Sequence, residues 1–187
     1  MVVDIFNTGK KYNVIYADPP WRYGSKQPFL MRGTRFHRLE EFYRTTSMNE
    51  MQNWNISKIA DKDCALFMWS TDSHIPEALE LMKAWGFKYV TVAFVWLKQT
   101  SKGKPVANLG QWTMKGAELC LLGTRGRMHR HKIKHNIRQV FSAERTKHSK
   151  KPAVVREFIT EMFGDVPRIE LFAREKCEGW DCWGDEV

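Results

Sequence analysis

No run of apolar residues in this 187-residue chain approaches the roughly 20 needed to cross a bilayer. The early stretch Asn7-Thr8-Gly9-Lys10-Lys11 is polar where a secretory signal would carry its apolar core. Together these absences predict a soluble, cytoplasmic protein without a membrane partner. Cysteine is scarce as well. Cys64, Cys120, Cys177 and Cys182 form no zinc-ribbon pairs, so they read as free thiols and no metal is expected. Acidic residues are the minority charge, 21 against 30 Lys and Arg, and the net +9 favours a polyanionic partner. No G-x-G-x-x-G follows the first strand-like segment, which removes support for an N-terminal dinucleotide site. No repeat or low-complexity tract is visible, and the length suits a single domain over residues 1–187.

What the chain does contain is a recurring alternation. Apolar runs at Val14–Ala17, Ala65–Trp69, Val90–Trp96, Leu119–Leu122 and Ile169–Phe172, with a weaker one at Gln139–Ala143, predict buried strands. Segments of helical period lie between several of them. Ser47 with Glu50 three residues on is a capping-box pattern leading into Met51, Trp54 and Ile59. Thr71 to Pro76 supplies a helix start, Leu79, Leu81, Met82 and Trp85 an apolar stripe, and Gly86 a stop. Ser149 and Pro152 precede Val155, Phe158, Ile159 and Met162, with Gly164 placed to end that helix. Strands alternating with helices predict a mainly parallel α/β sheet covered on both faces.

The first strand runs into Asp18-Pro19-Pro20-Trp21. In an α/β sheet, ligands sit outside the carboxyl ends of the strands, so an acid delivered there is placed for chemistry. Each proline fixes φ and restricts the residue before it, which holds the Asp18 carboxylate and the Pro19 carbonyl as adjacent acceptors. Two fixed acceptors suit a substrate with two N–H donors, such as an exocyclic amino group. Trp21 then offers a flat face for a planar base, a contact worth about 1–3 kcal/mol.

Three stretches depart from the alternation and read as substrate or specificity loops: residues 22–46, 100–115 and 125–138. The last contains no acidic residue and is read as an arm beside the candidate base pocket, with Arg127, Arg130 and Lys132 contacting phosphates. A charge run can equally be a solvated face.

Four segments, in order, resemble the signatures of the MT-A70 family of adenine N6-methyltransferases, and most of all its compact bacterial and phage members. They are Tyr16-Ala17-Asp18-Pro19-Pro20-Trp21; Ala65-Leu66-Phe67-Met68-Trp69 followed by Ala84-Trp85-Gly86-Phe87; His148-Ser149-Lys150-Lys151-Pro152; and Glu170-Leu171-Phe172-Ala173-Arg174 followed by Gly179 to Glu186. The resemblance implies a Rossmann-like class I methyltransferase sheet in circularly rearranged order, with the catalytic motif early and the cofactor motif C-terminal. It implies S-adenosyl-L-methionine as cofactor, in a pocket between Asp18 and the segment from Phe172 to Glu186. Lys151 would neutralise the methionine carboxylate or steady Asp18. Arg174, Asp185 and Glu186 would contact the ribose, although the family often has an amide at the position of Asp185. Asp4-Ile5 is the candidate for holding the cofactor's adenine. Tyr43 would cover the substrate base opposite Trp21, and Glu118 would help position it. Without the family, Lys151 and Arg174 read as surface cations, and Trp180 and Trp183 as core anchors.

The implied activity is methyl transfer to the 6-amino group of adenine in DNA. RNA as the substrate, or a non-catalytic nucleic-acid-binding subunit, are the alternatives, and a homodimer or partner subunit is compatible with either. The intact acid of the Asp-Pro-Pro-Trp turn speaks against a non-catalytic scaffold.

Overall fold

The first strand, β1 (Tyr12–Ala17), is buried on both faces, which fits its uninterrupted apolar run. The sheet grows from it in two directions. The computed structural model describes residues 1–21, 46–110, 112–146 and 150–187. Among these, β2 (Ala60–Ser70), β3 (Lys88–Gln99), β4 (Ala117–Arg125), β5 (Val140–Glu144), β6 (Arg168–Leu171) and β7 (Asp181–Trp183) join β1 in one sheet of order β5-β3-β4-β2-β1-β6-β7. The pairs β1–β2, β1–β6, β6–β7 and β3–β5 are parallel, whereas β4 runs antiparallel to both β2 and β3. The expected mainly parallel α/β sheet of methyltransferase type is therefore present, with one reversed strand.

Alternating residues of β1 and β2 feed two cores. Ile15, Ala17, Leu66 and Met68 pack with Met51 of α1 (Met48–Gln52), Leu81 and Met82 of α2 (Ile75–Ala84), and Trp85 at the end of α2. Val14, Tyr16, Phe67 and Trp69 face the other way, against Val155, Ile159 and Phe163 of α3 (Val154–Phe163). Trp180 is a core residue of this second cluster, and Trp183 packs at the edge of the first. No helix among the described residues is long and apolar enough to cross a membrane.

The helix signals resolve unevenly. Gly86 and Gly164 follow α2 and α3 with φ of 83° and 70°, as stop positions should. Ser47 caps α1 by accepting from the Glu50 N–H, but that helix ends at Gln52 instead of continuing to Ile59. Ile56–Lys58 form a separate 3-10 turn, after which the Ile59 carbonyl accepts from the Tyr12 N–H of β1. Helix α3 starts from Ala153 without a side-chain cap, and Ser149 lies outside the described residues, as do His148 and Tyr43. β7 has only three residues, too few for any hydrophobic period to reveal.

Candidate active site

Strands β2 and β6 flank β1, so the chain adds strands to one side of β1 first and returns to the other side late. That makes the carboxyl ends of β1 and β6 a topological switch point, where a crevice opens. Asp18 stands there with Lys151, Phe172 and Arg174 lining the same crevice.

Asp18 is not isolated. Its Oδ2 accepts from the Lys151 ammonium at 2.8 Å, and Lys151 also meets Glu118 Oε1 at 3.3 Å. Glu118, the second residue of β4, pairs through Oε2 with Lys98 at 2.9 Å. Two acids and two ammoniums thus alternate in a neutral chain across the strand ends. Lys151 is 8% exposed and Asp18 17%, so the group is largely out of water. Burial pushes the Asp18 carboxyl above its usual range, and Lys151 offsets this only in part. Burial acts the same way on Glu118, but Lys151 and Lys98 together outweigh it and hold that carboxyl low. Desolvation would lower Lys151, yet the two carboxylates raise it, so it stays charged. Of the two readings of Lys151, the contacts are those of steadying Asp18.

Trp21 is fixed as a platform. Its Nε1–H donates to the Trp69 carbonyl at 3.1 Å, and one ring face stacks on the buried His74 at 5.8 Å and 17°. A planar group stacking on this indole would have to use its opposite face. The Trp21 N–H donates to the Pro19 carbonyl at 2.9 Å, closing a three-residue turn around Pro20. That carbonyl keeps one lone pair for a ligand.

The cofactor candidates gather at the same edge. Phe172 follows β6 with φ of 61°, the positive-φ residue other than glycine among the described residues, and stacks on Trp54 at 5.6 Å. Arg174 Nη1 reaches Glu186 Oε1 at 3.5 Å, and Asp185 beside it is exposed. Gly184 makes this possible: a Cβ there would lie 2.4 Å from the Ala173 carbonyl oxygen, so only glycine lets the 184–186 backbone close on the 172–174 turn. Met1 to Val3 run beside β7 and bring Asp4-Ile5 to this edge too. The Ile5 side chain is buried in the core, while Asp4 is exposed and accepts from the Phe6 N–H at 3.0 Å and from the Asn7 amide.

The same crevice is lined by a clamp that sequence reasoning missed. Arg156 of α3 grips the buried Glu170 of β6 with Nε at 2.7 Å and Nη2 at 3.1 Å, and reaches Glu175 at 3.3 Å. Lys98 and His74 were missed as well. The parity of Lys98 with buried Trp96 was a signal, but two register shifts between β3 and β4 hide its partner from any counting. For His74 no sequence signal exists.

The basic segment does not join this group. Because β4 is antiparallel to β2, Arg125 lies opposite Cys64, while Leu119 lies opposite Ser70 beside the site. The span from Ser70 back to Cys64 is about 20 Å at about 3.3 Å per residue. Arg127 is tied to that far end by its N–H donating to Asp63 at 2.6 Å, followed by His131 against the same carboxylate at 3.3 Å. The exposed Arg127 and Arg130 and the half-buried Lys132 therefore sit at the amino edge of the sheet, not beside Asp18 as expected.

Residues 12–186 match the MT-A70 family model. A type II methyltransferase, M.MunI of a Mycoplasma species, is 38% identical over 95% of this chain and 78% of its own length. The human N(6)-adenosine-methyltransferase catalytic subunit METTL3 is 28% identical over 88% of the chain, and the human N(6)-adenine-specific methyltransferase METTL4 is 28% identical over 98%. The chain spans 26% and 39% of those two proteins. With nearly its whole length covered by the family model, the chain belongs to the MT-A70 methyltransferase family.

Proposed function

We propose that the protein transfers a methyl group from S-adenosylmethionine to the 6-amino group of adenine in DNA. The observation that carries this is the Asp18 carboxylate at the switch point, with Oδ2 held by Lys151 and Trp21 fixed beside it. No hydrogen bond from the described residues reaches Oδ1, which is the atom left for an amino group. The crevice chemistry also suits the cofactor. A methionine carboxylate needs a cation and ribose hydroxyls need acceptors; Arg174 offers the first, and Glu186 with the exposed Asp185 offers the second.

Bound S-adenosylmethionine supplies a methyl group made electrophilic by its sulfonium. The chain's own residues have a harder task, because the adenine amino lone pair is delocalised into the ring. Asp18 Oδ1 and the Pro19 carbonyl accept the two amino N–H groups and favour a pyramidal nitrogen. Both bonds strengthen as positive charge develops on that nitrogen, so they stabilise the transition state more than the ground state. Lys151 fixes the carboxylate's orientation, and Trp21 holds the ring in line. After transfer the nitrogen carries one proton too many, and Asp18 takes it on the way to solvent.

The similarity to a type II methyltransferase of a Mycoplasma species, matched over 78% of its own length, supports DNA over RNA, whereas the net charge of +9 suits either polyanion. The test is label transfer from radiolabelled cofactor to pools of random DNA and RNA oligonucleotides, with Asp18→Asn alongside. N6-methyladenine in DNA is expected, lowered about 10²–10³-fold by the substitution. Label in RNA alone, or binding of both pools without transfer to either, overturns the proposal.

A further inference from the structure

Residues 100–110 and 112–116, between β3 and β4, are not an irregular loop. The Thr100 N–H donates to Lys104 at 2.8 Å to close one tight turn, and Gln99 bridges Pro105. The Lys98 N–H donates to the Gly116 carbonyl at 2.8 Å and the Lys98 carbonyl accepts from the Val106 N–H at 2.9 Å, and Asn108 and Lys115 exchange both backbone bonds at 2.8 and 2.7 Å. Two glycines fold this arm tightly: a Cβ on Gly116 would lie 2.2 Å from the Val106 oxygen, and one on Gly110 would lie 2.4 Å from the Thr113 oxygen. The result is a shaped knob. At its tip Leu109, Trp112 and Met114 are 80%, 90% and 57% exposed.

Such exposure needs an occupant, and the charge around it says which kind. Residues 97–117 contain Lys98, Lys102, Lys104 and Lys115 and no acid. Both roots of the arm are anchored in the candidate site. Lys98 pairs with Glu118 in the Asp18 charge chain, and Lys115 pairs at 3.0 Å with Asp72, in the turn that presents His74 to Trp21. Lys115 is about 10 Å of strand from Glu118, a distance of a few stacked base pairs.

We propose that this arm is a wedge. Leu109, Trp112 and Met114 enter the base stack of duplex DNA beside the adenine turned out toward Asp18, while Lys102 and Lys104 hold the flanking phosphates. An apolar side chain inserted at a base step takes over the stacking lost when the neighbouring base leaves. The wedge rests on the methyltransferase reading above for the identity of the displaced base, but its physical action is a binding event.

Two measurements with Trp112→Ala separate the two ideas. In the first, anisotropy compares affinity for a duplex with one abasic position and for the intact duplex. The wild type is expected to prefer the gapped duplex about 10-fold, because the knob fills the gap without unpairing, and the variant is expected to lose that preference. Equal weakening on both duplexes, or no weakening, overturns the wedge. In the second, the loss of methyl transfer on duplex DNA should exceed the loss on single strands about 10-fold. A wild type that transfers no methyl group defeats the methyltransferase reading while the anisotropy result still judges the wedge. Conversion of a dimer to a monomer by the substitution, seen in sedimentation, would reassign the knob to a protein interface and overturn the wedge.

Discussion

Lys151→Met removes one ammonium from between two buried carboxylates and keeps the volume of the side chain. At an effective dielectric constant near 20, the Lys151–Asp18 contact at 2.8 Å corresponds to about 6 kcal/mol and the Lys151–Glu118 contact at 3.3 Å to about 5 kcal/mol. Part of this is offset by the desolvation of Lys151 itself, and Glu118 keeps Lys98. The expected net loss of stability is about 3–5 kcal/mol, the range for breaking a buried pair from one side. Its pH dependence is the sharper test. Asp18 already titrates above its ordinary range because of burial, and losing Lys151 raises it further. Between the unfolded and folded values the native state binds more protons, so the variant gains stability as pH falls from 8 toward 5. Urea denaturation across that interval should show the penalty shrinking toward acid, and the acidic limb of kcat/KM should move to higher pH. A penalty below 1 kcal/mol, or one constant across the interval, would refute the role given to Lys151 (~1.4 kcal/mol per pH unit is the full slope for one proton).

Arg156→Met leaves the buried Glu170 without its two-bond partner and should destabilise by about 3–5 kcal/mol at pH 8. The loss should be smaller at pH 5.5 because Glu170, raised by burial, takes up a proton; denaturation at both values measures it. Trp21→Phe keeps a ring but loses the Nε1 bond to Trp69, about 1 kcal/mol, whereas Trp21→Ala also loses stacking and should raise KM for DNA about 10-fold. Gly184→Ala drives a methyl into the Ala173 backbone and should weaken S-adenosylmethionine binding about 10-fold in calorimetric titration. In DNA titrations over a salt series, Lys102→Ala with Lys104→Ala should lower the slope of log K against log salt by about 2, more than Arg127→Ala with Arg130→Ala does.

The turn at Asp18 was legible because everything that defines it is local: an apolar run, two prolines, an acid and an indole within ten residues. Its partners were legible only through the family's order of motifs. Asp18 and Lys151 are 133 positions apart, and their meeting depends on how β3, β4 and β5 are stacked. No period in the sequence reports that. The same holds for Lys98, whose pairing with Glu118 is fixed by bulges that change the register twice. His74 illustrates a different limit, since a histidine in a turn carries no mark that an indole from elsewhere will stack on it.

One strand direction accounts for the main displacement between expectation and structure. Alternating strands and helices implied a mainly parallel sheet without marking which strand is reversed, and a parallel β4 would have delivered Arg127, Arg130 and Lys132 to the edge where Asp18 stands. A reversed β4 sends them to the other end and brings Glu118 to the site in their place. The clue lay in residues 100–115, which lack helical period, because a parallel crossover normally needs a helix whereas an antiparallel pair needs only a turn. The reversal also divides the electrostatics. Asp18, Lys151, Glu118 and Lys98 cancel one another, so the site adds no net charge of its own. Attraction for a polyanion must then come from cations outside it. The hairpin that reverses β4 carries two such cations, Lys102 and Lys104.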